Sequence, residues 1–144
     1  MLSSTCKYAI RAAIYLAVNT DKDKKVGIKK ISSDLGLPSP FLGKILQTLA
    51  KHKVLSSTKG PNGGFGLGKD PSKINLIDIV ILIDGMDNFD RCGIGVTKCL
   101  EQDVPCAIHS KYAIMRDSIK DLFETTTLAG LVDEVNQKGK TILI

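Results

Sequence analysis

Apolar side chains recur at helical spacing along most of this chain, and the places where the recurrence breaks divide it into elements. Ala9, Ala12, Ala13, Leu16 and Ala17, with Ser4 as a cap, predict a first helix to about residue 19 whose small-residue face suits close packing. A charged turn over residues 21–25 follows. Residues 28–35 read as a short helix stopped at Gly36, and Leu37-Pro38-Ser39-Pro40 opens another over residues 41–53. Two helices joined by a tight glycine-containing turn make a helix-turn-helix. In the second of them Leu42, Ile45, Leu46 and Leu49 share one face, which leaves Ser39, Lys44, Gln47, Thr48 and Lys51 outside, where they can read a groove.

The period then changes from helix to strand. Val54-Leu55-Ser56-Ser57-Thr58, Lys59-Gly60-Pro61-Asn62-Gly63-Gly64 and Phe65-Gly66-Leu67 read as a strand, a glycine-rich turn and a return strand, and a hairpin placed directly after a helix-turn-helix is a wing. The turn is not a phosphate cradle for a nucleotide: it lacks the pattern G-x-x-x-x-G-K followed by Ser or Thr, and no helix opens right after it. Beyond Pro71, Leu76, Ile79, Val80 and Ile83 return to helical spacing until a loop opens near Gly85. Ile108, Tyr112, Met115, Ile119 and Leu122 then repeat at steps of four, three, four and three, a coiled-coil seam. A lone seam in so small a chain closes its own core or pairs with its copy, and two-fold reading of DNA favours the copy. A last helix, capped by Thr127 and carrying Leu128, Leu131, Val132 and Val135, packs back on it, and residues 138–144 form a loose end. The expected fold class is α+β, mostly α. A winged helix-turn-helix DNA-binding domain covers residues 1–72, and the cysteine loop and dimerisation helices cover residues 73–144.

Composition narrows the class further. At 43% hydrophobic content the 144 residues can bury one real core without disulfides, so the four cysteines are not a staple framework. Residues 1–8 show no basic segment leading into an apolar core, and the longest apolar stretch, residues 76–83, carries Asp78 and is too short to cross a bilayer. A cytoplasmic protein of a reducing compartment, with no membrane partner, is expected. The net charge of +5 hides an asymmetry: residues 1–70 hold twelve Lys and Arg against four Asp, whereas residues 71–144 hold eight against eleven acids. Ten lysines, at positions 22, 24, 25, 29, 30, 44, 51, 53, 59 and 69, gather around the helix-turn-helix, as an electrostatic footprint on phosphates would; the plainer account is a solvated face. No nucleophile motif and no paired carboxylates accompany His52 and His109, the only histidines, so no catalysis is assigned.

The candidate chemistry lies in one polar stretch. Cys92, Cys99, Cys106 and His109 follow the spacing C-x6-C-x6-C-x2-H, with Gly93, Gly95 and Pro105 between them to fold the chain back on itself. Several thiolates aimed at one point suit an iron–sulfur cluster. Zinc is the rival, since three Cys and one His complete a tetrahedral site; a thiol switch and plain packing of thiols are the other accounts.

Tyr8-Ala9-Ile10-Arg11, residues 31–37 leading into Phe41-Leu42, the string Ser57-Thr58-Lys59-Gly60-Pro61-Asn62-Gly63-Gly64-Phe65 and the three-cysteine loop together resemble the bacterial winged-helix regulators of the IscR, NsrR and CymR type. The resemblance covers nearly the whole chain, and the wing string is its most specific part. It implies a repressor-type homodimer on a palindromic double-stranded promoter site, sensing redox, nitric oxide or iron–sulfur status through one cluster per subunit, 2Fe–2S favoured over 4Fe–4S. Carried over, Cys92, Cys99 and Cys106 match the cluster ligands and His109 the fourth ligand of the IscR-like branch. Ser39, Pro40, Phe41, Lys44, Gln47, Lys59, Gly60, Asn62 and Gly63 fall at the DNA-facing positions. Four departures stand out. Six residues rather than five separate the cysteines, and Lys7 stands where one branch has a ligating carboxylate. Gly43 replaces a base-reading glutamate, and Lys59 an arginine, keeping the charge but losing the planar fork. Cys6, beside Lys7, reads as a packed helix thiol before it reads as a ligand. Two alternatives remain open: a zinc or thiol-switch regulator of the same fold, and an iron–sulfur carrier that binds no DNA.

Overall fold

The computed structural model describes residues 2–91 and 107–138. Among them lie helices α1 (Ser4–Asn19), α2 (Ile28–Leu35) and α3 (Ser39–Lys51), strands β1 (Leu55–Thr58) and β2 (Gly64–Leu67), and helices α4 (Leu76–Asp84), α5 (Asp87–Asp90), α6 (His109–Thr125) and α7 (Leu128–Gln137). A single 3-10 turn, Pro71–Lys73, joins β2 to α4. The mostly helical fold with one small antiparallel sheet agrees with the winged-helix expectation.

The ends of the elements follow from local chemistry. Ser3, one residue before the expected cap, holds the start of α1 by accepting the Cys6 N–H at 3.0 Å. Its own N–H and hydroxyl donate to the Asp84 carboxylate, tying the start of α1 to the end of α4. Helix α2 stops at Gly36, whose φ of 64° lets the Leu37 N–H turn back to the Ser32 carbonyl at 3.0 Å. Helix α3 opens at Ser39, two residues earlier than the apolar pattern indicates. Pro38 is its cap and Pro40 lies in its first turn, where an N–H has no partner within the helix and a fixed φ is helpful. The same helix ends at Lys51 rather than at residue 53, because Lys53 has already turned to a φ of 61°.

The core forms around α1, which packs against α2, α3, β2, α4 and α7. Ala9, Ala12 and Ala13 are fully buried, and the absence of bulk on that face lets the neighbouring backbones approach. Leu16, Ile31, Leu42, Leu46, Leu49, Leu55, Ile74, Ile79 and Leu128 fill the space between. A second, smaller cluster joins Cys6 of α1, Ile77 and Val80 of α4 and Phe89 of α5, with Phe123 of α6 against it. The α4–α6 connection closes through backbone: the Leu76 N–H donates to the Thr126 carbonyl at 3.0 Å and the Leu128 N–H to the Ile74 carbonyl at 2.9 Å. Thr127 caps α7 as expected, accepting the Gly130 N–H.

Helix α6 differs from the rest because none of its residues is buried. Ile108 lies just before it, as its cap, so the expected seam begins in the helix with Tyr112. Ile114, Met115, Ile119 and Leu122 are 70%, 64%, 47% and 58% exposed. No helix among the described residues is long and apolar enough to cross a membrane.

Candidate nucleic-acid interface and metal-binding loop

Helix α3 divides as its sequence pattern requires. Leu42, Ile45, Leu46 and Leu49 are buried, and Pro40, Lys44, Gln47 and Lys51, at steps of four, three and four, form the exposed stripe opposite them. Ser39 is half-buried at the first helical position. Phe41 lies on the flank, 37% exposed, with its ring edge-on to Tyr8 of α1 at 5.7 Å. Thr48 donates its hydroxyl to the Lys44 carbonyl at 2.9 Å, and His52 Nδ1 lies 3.0 Å from the Thr48 carbonyl. His52 is thus the helix-end residue the sequence indicates. A Cβ at Gly43 would sit 3.1 Å from Ile28 Cδ1, a tight approach to the end of a side chain of α2.

The wing is a docked hairpin rather than a free one. Strands β1 and β2 pair from Leu55 opposite Leu67 to Thr58 opposite Gly64. Val26, in the connection from α1 to α2, adds a third partner by exchanging two hydrogen bonds of 2.9 Å with Phe65. This pairing was not legible in the sequence, where Val26 is a lone apolar residue after a charged turn. It accounts for one glycine of the turn, and the path of the turn accounts for the others. A Cβ on Gly64, at φ 155°, would meet the Val26 carbonyl oxygen at 2.5 Å; one on Gly63 would strike the Thr58 carbonyl oxygen; and Gly60 turns at φ 108°. Lys59, Gly60 and Asn62 are exposed at the tip and Gly63 is half-buried.

The lysines do not contribute equally. Lys30 is engaged by Asp34 at 2.8 Å, Lys69 lies 4.0 Å from Asp78, and Lys25 donates to the Ser56 hydroxyl at 2.9 Å beside the wing. Lys29, Lys44, Lys51, Lys53 and Lys59 are exposed with no carboxylate partner among the described residues. Asp34 is held below the usual carboxylate range, first by the hydrogen bonds from Lys30 and then by the one from Tyr15. The Tyr15 hydroxyl, donating at 2.6 Å, is pushed up to about 12 by burial and then by Asp34. This network braces α2 against α1 behind the exposed face.

Cys92, Cys99 and Cys106 lie outside the described residues. The residues on either side of that segment are described. Phe89 of α5, buried and 6.2 Å from Phe123, packs α5 against α6 on the near side. His109, half-buried, is the first residue of α6 on the far side. Three thiols and an imidazole form a soft donor set that fits an iron–sulfur cluster or zinc. Cys6 does not belong to it. It is fully buried in the second cluster, and burial, with Asp84 adding to it, pushes the thiol up to about 12, so it stays protonated.

A winged helix-turn-helix with a basic outer face, joined to a long helix whose apolar side is bare, defines a transcription regulator rather than an enzyme. Residues 2–134 match the Rrf2 family of iron-dependent transcriptional regulators, and the chain belongs to that family. It is 37% identical over 134 residues, 92% of each chain, to an HTH-type transcriptional regulator of Aquifex aeolicus (strain VF5). It is also similar to the HTH-type transcriptional regulator IscR of Escherichia coli, 30% identical over 132 residues, 92% of this chain and 80% of IscR. Among solved structures, CymR (YrzC), the global cysteine regulator of B. subtilis, superimposes with a TM-score of 0.77 at 25% identity, covering 93% of this chain and 97% of CymR. IscR of T. potens shares the fold, with a TM-score of 0.76 at 22% identity over 100% of this chain and 93% of that one.

Proposed function

We propose that this regulator works as a cytoplasmic homodimer on a palindromic promoter site, repressing transcription according to the state of an iron–sulfur cluster held by Cys92, Cys99, Cys106 and His109. The observation that carries the reading is α6. It begins at His109, three residues after Cys106, and leaves Ile114, Met115, Ile119 and Leu122 exposed. Burying an apolar side chain is worth about 1.5–3 kcal/mol. Pairing two such faces across a two-fold axis therefore supplies a driving force of several kcal/mol and places the two α3 helices on one side of a duplex. The likeness to IscR and the iron-dependent character of the family support the cofactor.

Each part of the chain has a task in this arrangement. Residues 1–72 grip DNA: α3 enters the major groove, while Lys59, Gly60, Asn62 and Gly63 of the wing and the exposed lysines lie along the backbone. Residues 73–144 pair the subunits and hold the metal. When bound, the cluster supplies a redox-sensitive and nitric-oxide-sensitive centre. His109 joins that centre to the first turn of α6, and Phe89 joins its other side to the small core at the start of α1. The residues on either side of the ligand segment, Phe89 and His109, thus belong to the helices packed against α4 and α1. A change in the centre alters DNA affinity only to the extent that it favours one arrangement of the dimer over another.

Anaerobic purification tests the cofactor through iron and sulfide analysis and a visible spectrum; colourless protein with stoichiometric zinc would replace the cluster by the zinc reading. Light scattering on a size-exclusion column tests the dimer, which Ile119→Asp should dissociate. Promoter binding should weaken steeply with added salt, as lysine–phosphate contacts release counterions. An iron–sulfur carrier without DNA binding would show no retention of its own upstream region above background.

A further inference from the structure

We infer that Gln47 reads the operator, by a bidentate contact of its side-chain amide to the major-groove edge of one adenine in each half-site. The inference rests on the DNA-binding reading above and names the base chemistry it requires.

Elimination along α3 leads to this residue. A bidentate contact to adenine needs a donor and an acceptor on one rigid group, both unengaged and both on the exposed stripe. Pro40 has no hydrogen-bonding side chain, and Gly43, packed beside Ile28, has none either. Phe41 leans on Tyr8. Thr48 gives its hydroxyl to its own helix, and the His52 ring is occupied at the helix end. Ser39 is half-buried and carries a single hydroxyl. Lys44 and Lys51 carry donors and no acceptor, so they suit phosphate oxygens or a guanine edge and cannot match the donor and acceptor of adenine.

Gln47 remains. It is exposed, and its amide makes no hydrogen bond to any described residue. Lys44 lies three residues before it and Lys51 four residues after it on the same stripe, so cationic groups flank the amide on both sides. From Pro40 to Lys51 the stripe is about 16 Å long at 1.5 Å per residue. With no amide at the tip of the helix, the middle of α3 is the part that can offer one to the base edges. Adenine offers N7 as acceptor and N6 as donor there, the pattern an amide matches. Asn62, an exposed amide on the wing tip, is placed for the backbone or the minor groove, whose pattern is degenerate.

The test uses the full chain. High-affinity duplexes are selected from a random library, and binding is measured by fluorescence anisotropy at fixed salt with each conserved adenine replaced in turn by 7-deazaadenine, which lacks the N7 acceptor. One position per half-site should weaken binding by about tenfold to a hundredfold in the parent. In Gln47→Ala the same replacement should change affinity by less than about twofold, and Gln47→Glu should turn the preference at that position toward cytosine, whose N4 donates. Both variants alter an exposed side chain and should unfold at the parent's urea concentration. A full deaza penalty retained in Gln47→Ala would overturn the assignment, as would a loss in Gln47→Ala that is equal on every duplex. A chain that selects a duplex indifferent to 7-deazaadenine refutes Gln47 alone; a chain that selects nothing refutes the DNA-binding reading and this one with it.

Discussion

Replacing Gly64 by alanine tests whether the wing is docked on the body through Val26. The added methyl would lie 2.5 Å from the Val26 carbonyl oxygen, 2.6 Å from its carbon and 2.9 Å from the Gly27 nitrogen, all backbone atoms that cannot swing aside. Ordinary contact begins near 3.4 Å, so the segments must part by roughly 0.9 Å, which stretches both 2.9 Å hydrogen bonds between Val26 and Phe65 past 3.5 Å. Two hydrogen bonds are worth about 1 kcal/mol each, a φ of 155° costs a non-glycine residue about 1–3 kcal/mol, and partial exposure of Phe65 adds about 1 kcal/mol. The expected loss is about 4–6 kcal/mol. Urea unfolding measures it, and hydrogen exchange at the Val26 and Phe65 amides shows whether the wing alone has come away. Two companions bracket the result. Gly60→Ala meets open space and should cost only the strain of φ 108°, about 1–2 kcal/mol; Gly130→Ala, in α7 with ordinary contact to Thr127, should leave stability unchanged or raise it by up to about 1 kcal/mol. A Gly64→Ala protein within about 1 kcal/mol of its parent, with both amides still protected, would refute the docking argument.

Three further outcomes are expected. Lys53→Gly, at an exposed site with φ 61°, should stabilise the protein by about 0.5–1 kcal/mol in urea or thermal unfolding, and a fall in stability would count against backbone strain there. The Asp34 carboxyl is depressed in the folded state, so its contribution is complete above its unfolded value of 3.8 and fades as pH falls through that value and below; urea midpoints taken from roughly pH 6 to 2 should show a shallower acid loss in Asp34→Asn. Cys6, buried with its thiol near 12, should resist iodoacetamide in the native protein and react on unfolding; rapid native labelling in a peptide map would contradict its place in the core.

Much of the architecture was legible because its signals are local. The spacing of Leu42, Ile45, Leu46 and Leu49 predicts which side of α3 is buried, and Gly36 and Thr127 mark helix ends by their own conformational or hydrogen-bonding preferences. The boundaries of α3 were displaced by two residues at each end. Pro40 is tolerated inside the first turn, and Lys53 leaves the helix against its own preference, neither of which an apolar pattern records. Helix α5 was missed because four residues carry no period; only its packing, with Phe89 against Cys6 and Phe123, makes it an element. Ser3 displaced Ser4 as the α1 cap because Asp84, distant in sequence, holds it in place.

By itself, the sequence determined the order of the longer helices and the hairpin, the basic character of the first half, and the spacing of Cys92, Cys99, Cys106 and His109. These depend on residue identity and on neighbours within a turn or two. Only the tertiary structure decided what each position faces. The Val26 backbone crowds Gly64, Ile28 packs beside Gly43, Asp34 and Asp78 engage two of the ten lysines, and Met115, Ile119 and Leu122 of α6 are exposed. The physical reason is that steric contact, ion pairing and burial depend on distance in space, and residues such as Val26 and Phe65 are brought together only when the core around α1 closes.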